Sequence, residues 1–193
     1  MTDTQHVKDL VFTPKKDWVA FFSHTGSEIV NLSNKLGITP SRIVTNLEPG
    51  DDRIDSRLLD LKTEIVYVSN RPDVSDYERV LNRCDDCMCT LHGWMRIVPE
   101  DICNNYEMWN LHPGLINMYP ELKGADPQWR VDPDKHEWIG LVIHKVEPGV
   151  DEGSIAMSSK KHNTFANGDI IAKELHEMAL SAWTDFFHLC LSE

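Results

Sequence analysis

The 193-residue chain is poor in basic residues: 19 Lys and Arg stand against 31 Asp and Glu, giving a formal charge of −12. Phosphate backbones and anionic lipid surfaces are held by clustered Lys and Arg, so a broad nucleic-acid or membrane surface is excluded. A local pocket for one small anion is not. The chain also has no apolar run long enough to span a bilayer, and its first residues, MTDTQHVKDLVFTPKKDWVAFF, lack the basic–apolar–small order of a secretory signal. The expectation is therefore a cytoplasmic protein. Repeats, low-complexity tracts and Pro/Ser-rich linkers are likewise missing, so one domain over 1–193 is expected, with residues 1–15 as an N-terminal arm.

Cysteine is scarce and odd in number. Three of the five fall in CDDCMC (Cys84, Cys87, Cys89), but the second ligand pair of a structural zinc site is missing. Cys87 and Cys89 alternate within CMCTLHGW, the pattern of a buried strand that uses cysteine as a small apolar residue. No metal is expected, and an intracellular chain with an odd cysteine gives no disulfide framework.

What is present is an ordinary globular composition, 41% hydrophobic and 26% charged, arranged as strands alternating with helices. WVAFF (18–22), RIVTNL (42–47), EIVYVS (64–69), CMCTLHG (87–93), YEMWNLH (106–112) and EWIGLVIHKV (137–146) read as strands. EIVNLSNKLG (28–37) reads as a helix ended by Gly37, and SDYERVLNRC (75–84) as a helix between strands. The tail from NGDIIAK onward spaces Ile170, Ile171, Leu175, Met178, Ala179, Ala182 and Phe186 as one face of a long helix. Such alternation implies an α/β fold with a mainly parallel, twisted central sheet flanked by helices. In open sheets of this kind ligands bind beyond the carboxyl ends of the strands. The ends that stand out are SHTGSE, HGWMRIVP and NLHPG.

In NLHPG, Asn110 and His112 share one face of an extended chain, and Pro113 stops the ladder just beyond them. A carboxamide and an imidazole side by side can hold an oxygen that gains negative charge, and the imidazole can move a proton. The bland alternative is a polar strand end whose Asn and His cap loop carbonyls, and spacing alone favours it. Downstream, VIHKVEPGVDEG brings Asp151 in a Gly-rich loop, where an aspartate is more often a turn former. A carboxylate near His112 would nonetheless favour the imidazolium and could relay a proton.

LHGWMRIVPEDI, WNLHPGLINMYPELKG and GLVIHKVEPGVDEGSIA, in this order and spacing, resemble the folate-dependent formyltransferases, with most likeness to their glycinamide ribonucleotide transformylase branch. The resemblance runs from about Trp18 to the C-terminal helix. It implies a Rossmann-like fold that uses 10-formyltetrahydrofolate as donor co-substrate and passes its formyl group to the primary amine of a small acceptor. By position, Asn110, His112 and Asp151 match the family's catalytic trio. The folate pocket would come from Met95, Arg96, Ile97 and Val98 and from the loop with Val146, Glu147 and Val150, with Met108 as apolar wall. Gly26, Ser27 and Glu28 match the turn that holds substrate phosphate in the purine enzymes.

Two departures bear on the acceptor. Glu28 stands where the family's turn carries an amide, and a glutamate there repels a phosphate. Thr25 to Glu28 also fits a T-x-x-E capping box, a purely structural reading that has the better odds. Gly114 follows His112-Pro113 where the family writes serine, and KGADPQW resembles the Arg-Gly-x-x-Pro loop of methionyl-tRNA and sugar-nucleotide formyltransferases. The acceptor is left open between glycinamide ribonucleotide-like and amino-sugar or nucleotide-like amines. Hydrolysis of the same donor, and non-catalytic folate or nucleotide binding, remain the alternative functions.

Overall fold

The computed structural model describes residues 16–164 and 167–191; the arm expected at 1–15 lies outside them. Seven strands form one sheet: β1 (Asp17–Phe22), β2 (Arg42–Thr45), β3 (Glu64–Tyr67), β4 (Cys87–His92), β5 (Glu107–His112), β6 (Trp138–Lys145) and β7 (Ile155–His162). Their order is β3-β2-β1-β4-β5-β6-β7. The first five are parallel, and β5–β6 and β6–β7 are antiparallel. The chain thus winds outward from β1 in one direction and from β4 in the other, which makes the β1/β4 boundary the switch point where such sheets open a crevice.

Both faces of the central strands are buried because helices cover both. From β1, Trp18, Ala20 and Phe22 join a core with helix α1 (Ser27–Leu36) and the long helix α4 (Gly168–Leu191). Val19 and Phe21 face the other way, into a core with α2 (Val74–Leu81) and α3 (Glu100–Asn105). The period-2 alternation of side chains thus divides one apolar run between two cores. Helix α4 buries Ile171, Leu175, Ala179, Ala182, Trp183, Phe186 and Phe187, whereas Ile170, expected on that face, is 48% exposed. Gly37 ends α1 as the sequence implies, with a left-handed φ of 70° and its N–H on the Ser33 carbonyl. Among the described residues no helix is long and apolar enough to cross a membrane.

Two elements escape the sequence pattern. Strand β7, IAMSSKKH, is an edge strand mostly open to solvent, so it shows no apolar face. Its lysines suit an edge that must not recruit further strands. Helix α3 is six residues long and begins directly after Pro99; six residues are too few to display an apolar period.

Candidate active site

The fifth strand carries Asn110 and His112 to the sheet's carboxyl end, where β5 meets the antiparallel β6. In that register Asn110 lies opposite His144, and His112 opposite Val142. Asn110 Nδ2 is 3.2 Å from His144 Nε2, and His144 Nδ1 is 2.8 Å from the Lys145 carbonyl oxygen. A carbonyl only accepts, so Nδ1 carries a proton; Nε2 stands between the Asn110 amide and the Asp151 carboxylate, accepting from the first in the neutral ring and donating to the second when both ring nitrogens are protonated.

Asp151 closes the cluster from the following loop, where it takes a left-handed φ of 53°. Its Oδ2 is 3.2 Å from His112 Nδ1 and its Oδ1 is 3.4 Å from His144 Nε2, and the Gly124 N–H donates to Oδ2 at 2.8 Å. Burial pushes the carboxyl pKa up, but the hydrogen bond with His144, the charge of His112 and the Gly124 amide outweigh it and bring it down from 3.8 to about 2. Asp151 is therefore an anion at neutral pH.

His112 is under opposed demands. Its Nε2 donates to the Leu122 carbonyl at 2.9 Å while Nδ1 faces the Asp151 carboxylate, so both ring nitrogens meet acceptors, a pattern that only the imidazolium satisfies in full. Burial works the other way and prevails over the Asp151 charge and the Leu122 carbonyl, holding the pKa below 6.5. Gly114 makes room for this ring: a Cβ there would stand 2.9 Å from His112 Nε2 and 3.1 Å from Pro127 Cβ. The His-Pro-Gly departure thus has a packing reason. Arg130 fixes the covering loop by donating to the carbonyls of Glu121, Leu122, Lys123 and Ala125.

The loops expected to hold folate are split in character. Met95, Ile97 and Val150 are exposed, at 48%, 74% and 50%. Arg96 donates to the Asn70 backbone oxygen, to Asn70 Oδ1 and to the Met95 carbonyl. Glu147 is half-buried, as is Val146, whose N–H donates to the Met108 carbonyl. Val98 and Met108 correct the expectation: both side chains are buried in the α2/α3 core, Met108 wholly so, and neither offers a surface to a ligand. On β5 the alternation of faces sends Met108 into the α2/α3 core and its neighbour Trp109 against the core on the other side of the sheet.

The turn after β1 is also placed otherwise than expected. Gly26, not Thr25, precedes the first turn of α1, at φ 72°, and a Cβ there would meet Leu58 Cδ1 at 2.6 Å. Thr25 Oγ1 accepts the Ser27 N–H at 3.2 Å and donates to Ser27 Oγ at 2.9 Å. No capping box forms, because the Glu28 carboxylate turns inward: Oε2 is 2.6 Å from His92 Nδ1 and accepts from Trp183 Nε1 at 3.3 Å. His92 and Glu28 are a second carboxylate–imidazole pair with no signal in the spacing of the chain, since 64 residues separate them. His144, which sequence order leaves ambiguous between lining the site and packing beside it, is a member of the Asp151 cluster.

Two cavities open at the carboxyl ends of the strands. One, about 450 Å³, is bounded by Ser23, Asn46, Asp51, Arg53, Asn70 and Arg96, among others. The other, about 340 Å³, lies between the start of α1, the ends of β4 and β5, and α4. Neither takes a wall from Asn110, His112 or Asp151, whose cluster is packed beneath the 120s loop.

An anionic aspartate between two histidines and a carboxamide, at the strand ends of a wound α/β sheet, defines a site equipped for proton transfer and oxyanion support. The sequence profile of the Formyl transferase family matches residues 53–173, more than half of the chain and all of this cluster, and the chain belongs to that family. Solved structures of similar fold include the phosphoribosylglycinamide formyltransferases of Anaplasma phagocytophilum (20% identity, 89% of this chain and 84% of that one, TM-score 0.76) and Coxiella burnetii (17%, 93% and 88%, 0.79). A formyltetrahydrofolate deformylase of Pseudomonas putida is also similar (15%, 89% and 64%, 0.68). At these identities the likeness establishes the Rossmann-like fold. No curated protein matches the sequence.

Proposed function

We propose that the chain transfers the formyl group of 10-formyltetrahydrofolate to the primary amine of a small acceptor, with Asn110, His112 and Asp151 as the catalytic residues. The observation that carries this reading is the convergence of those three side chains, from β5 and a loop 39 to 41 positions later, on one strand end. In the reaction the amine nitrogen bonds to the formyl carbon and the carbonyl electron pair moves onto oxygen. The N–H groups of Asn110 and His112 are the donors for that oxyanion; at rest they are held by His144 and the Leu122 carbonyl. Asp151, ionised at neutral pH, takes the proton shed by the ammonium, directly or through water, and orients His112. The bond from the formyl carbon to the folate nitrogen then breaks, and that nitrogen leaves with a proton.

Met95, Ile97 and Val150 supply exposed apolar side chains, which suit a flat reduced pterin, and Arg96 lies between the first two in the chain. The fit rests on these surfaces, without Val98 and Met108 side chains.

The test is tetrahydrofolate release, followed by absorbance, with and without a panel of small amines. Amine-dependent release is expected. Steady amine-independent release with formate would assign a hydrolase instead, and donor binding without turnover under any condition would leave only a binding protein.

A further inference from the structure

The cavity of about 340 Å³ has a wall of unusual chemistry for a site whose relatives' names speak of a phosphoribosyl acceptor. Glu28, His24, His92, Ser27, Gln128 and His176 supply its polar lining, Leu111 and Leu175 are among its apolar members, and neither lysine nor arginine takes part. We propose that this cavity is the acceptor site and that Glu28 makes it select a hydroxyl-bearing, phosphate-free amine of about monosaccharide size, the amino-sugar class. The proposal rests on the transferase reading above and deepens it.

Glu28 is held as a fixed acceptor. Both of its hydrogen bonds, from His92 and Trp183, end on Oε2. Oε1 has no partner among the described residues and is the atom Glu28 can offer to the cavity it lines. His92 is steadied from behind by Thr90 Oγ1, 2.8 Å from its Nε2, and Thr90 Oγ1 accepts from Trp18 Nε1 at 2.7 Å. An indole N–H only donates, so the Thr90 proton is free for His92 Nε2 while His92 gives its Nδ1 proton to Glu28. The chain from Trp18 to Glu28 is buried except at its last member.

A phosphate entering here would meet a carboxylate with no permanent cation beside it. The amides at the start of α1 offer little compensation: the Ser27 N–H is spent on Thr25 Oγ1 and those of Ile29 and Val30 on the Gly26 carbonyl, which leaves the N–H of Glu28 itself, on the residue that carries the repelling carboxylate. Sugar hydroxyls suit the same wall: the carboxylate accepts from them, and the Ser27 hydroxyl and the Gln128 amide can donate. Gln128 comes from the KGADPQW loop, which is seated on the start of α4 by Trp129 packing where a Cβ of Gly168 would stand. The volume is at the small end of the roughly 300–1,000 Å³ of ligand pockets. Leu111 and Pro113, the chain neighbours of His112, also line the cavity, so an acceptor seated there ends at the strand terminus that bears His112.

The experiment compares glucosamine with glucosamine 6-phosphate on the wild-type protein and on Glu28→Gln, by calorimetric binding and by kcat/KM from tetrahydrofolate release, with donor binding followed separately by tryptophan fluorescence. Glucosamine is expected to be favoured over its phosphate ester by about tenfold or more, the scale of one charge-assisted hydrogen bond. Glu28→Gln should erase or invert that ratio. Gln128→Ala, away from the buried chain, should weaken glucosamine binding and serves if Glu28→Gln does not fold. Preference for the phosphate ester, a ratio untouched by Glu28→Gln in a folded protein, or no binding of glucosamine would overturn the proposal. Glu28-dependent glucosamine binding without turnover would instead overturn the transferase reading and leave the site standing.

Discussion

Asp151 and Glu28 are both carboxylates that meet histidines near strand ends, and they sit on opposite faces of the same sheet. Asp151 spends both oxygens, on His112, His144 and the Gly124 amide, beneath a loop that Arg130 ties down. Glu28 spends only Oε2 and borders an open cavity. The comparison teaches that one pair of residue types serves two ends. A carboxylate with all its partners inside the protein fixes charge and geometry; one with an oxygen in reserve is available to a ligand. The first arrangement suits proton handling and the second suits recognition.

The comparison breaks most sharply at His112. His112→Ala should lower the transfer rate by about 10²–10⁴-fold, the usual worth of a positioned acid–base group, with donor affinity measured by fluorescence nearly unchanged. Undiminished transfer would remove the Asp151 cluster from the chemistry altogether.

Asp151→Asn comes next. It should slow turnover by about a hundredfold, and it also changes how stability follows pH. Because the folded pKa of Asp151, about 2, lies below its ordinary 3.8, the carboxylate stabilises the fold fully above about pH 4. That contribution, roughly 2 kcal/mol, drains away as pH falls through the folded value. His112 acts in the same direction at higher pH: with its folded pKa held below 6.5, the unfolded chain takes the proton first as pH falls below 6.5, and stability declines until the folded value is reached. Urea midpoints from pH 7 to 2 should show both slopes in the wild type and only the upper one in Asp151→Asn, where it should itself be altered by loss of the carboxylate beside the ring.

A smaller effect is expected at Gly114. Gly114→Ser inserts a Cβ 2.9 Å from His112 Nε2 and should reduce stability by about 1–3 kcal/mol, as overpacking does, while weakening the contact of His112 with Leu122. A crystal structure or urea denaturation would register it. The smallest change is Arg130→Met, which removes donors to four loop carbonyls and should lower the unfolding free energy by about 1 kcal/mol. A variant of full stability would mean that the loop holds itself over His112 without the guanidinium.

Much of the scaffold was legible because burial writes itself into spacing. The run from Trp18 to Phe22 announces a strand covered on both faces, and the spacing from Ile171 to Phe186 announces the helix that covers one of them. Asn110 and His112 were legible as a same-face pair for the same reason, and Gly37 as a helix end. Strand β7 was not, because an edge strand needs no apolar face, and α3 was not, because six residues fall short of two helical turns. Thr25-Gly26-Ser27-Glu28 shows the other kind of failure. A local rule offered Glu28 a backbone partner three residues back, and an imidazole 64 residues onward, together with the Trp183 indole, took it instead. A buried partner outcompetes a solvent-exposed cap when desolvation makes each unmet polar group expensive.

By itself, then, the sequence determined the alternation of strands and helices, the acidic character of the chain, and the pairing of carboxamide with imidazole on β5, since each follows from local periodicity or composition. Tertiary structure alone decided that Asp151 joins His144 as well as His112, that Met108 and Val98 turn into the core, and that Glu28 bonds His92 at the edge of a cavity. Those outcomes depend on which distant segments the sheet brings within 3 to 4 Å, and no spacing along the chain encodes a distance across it.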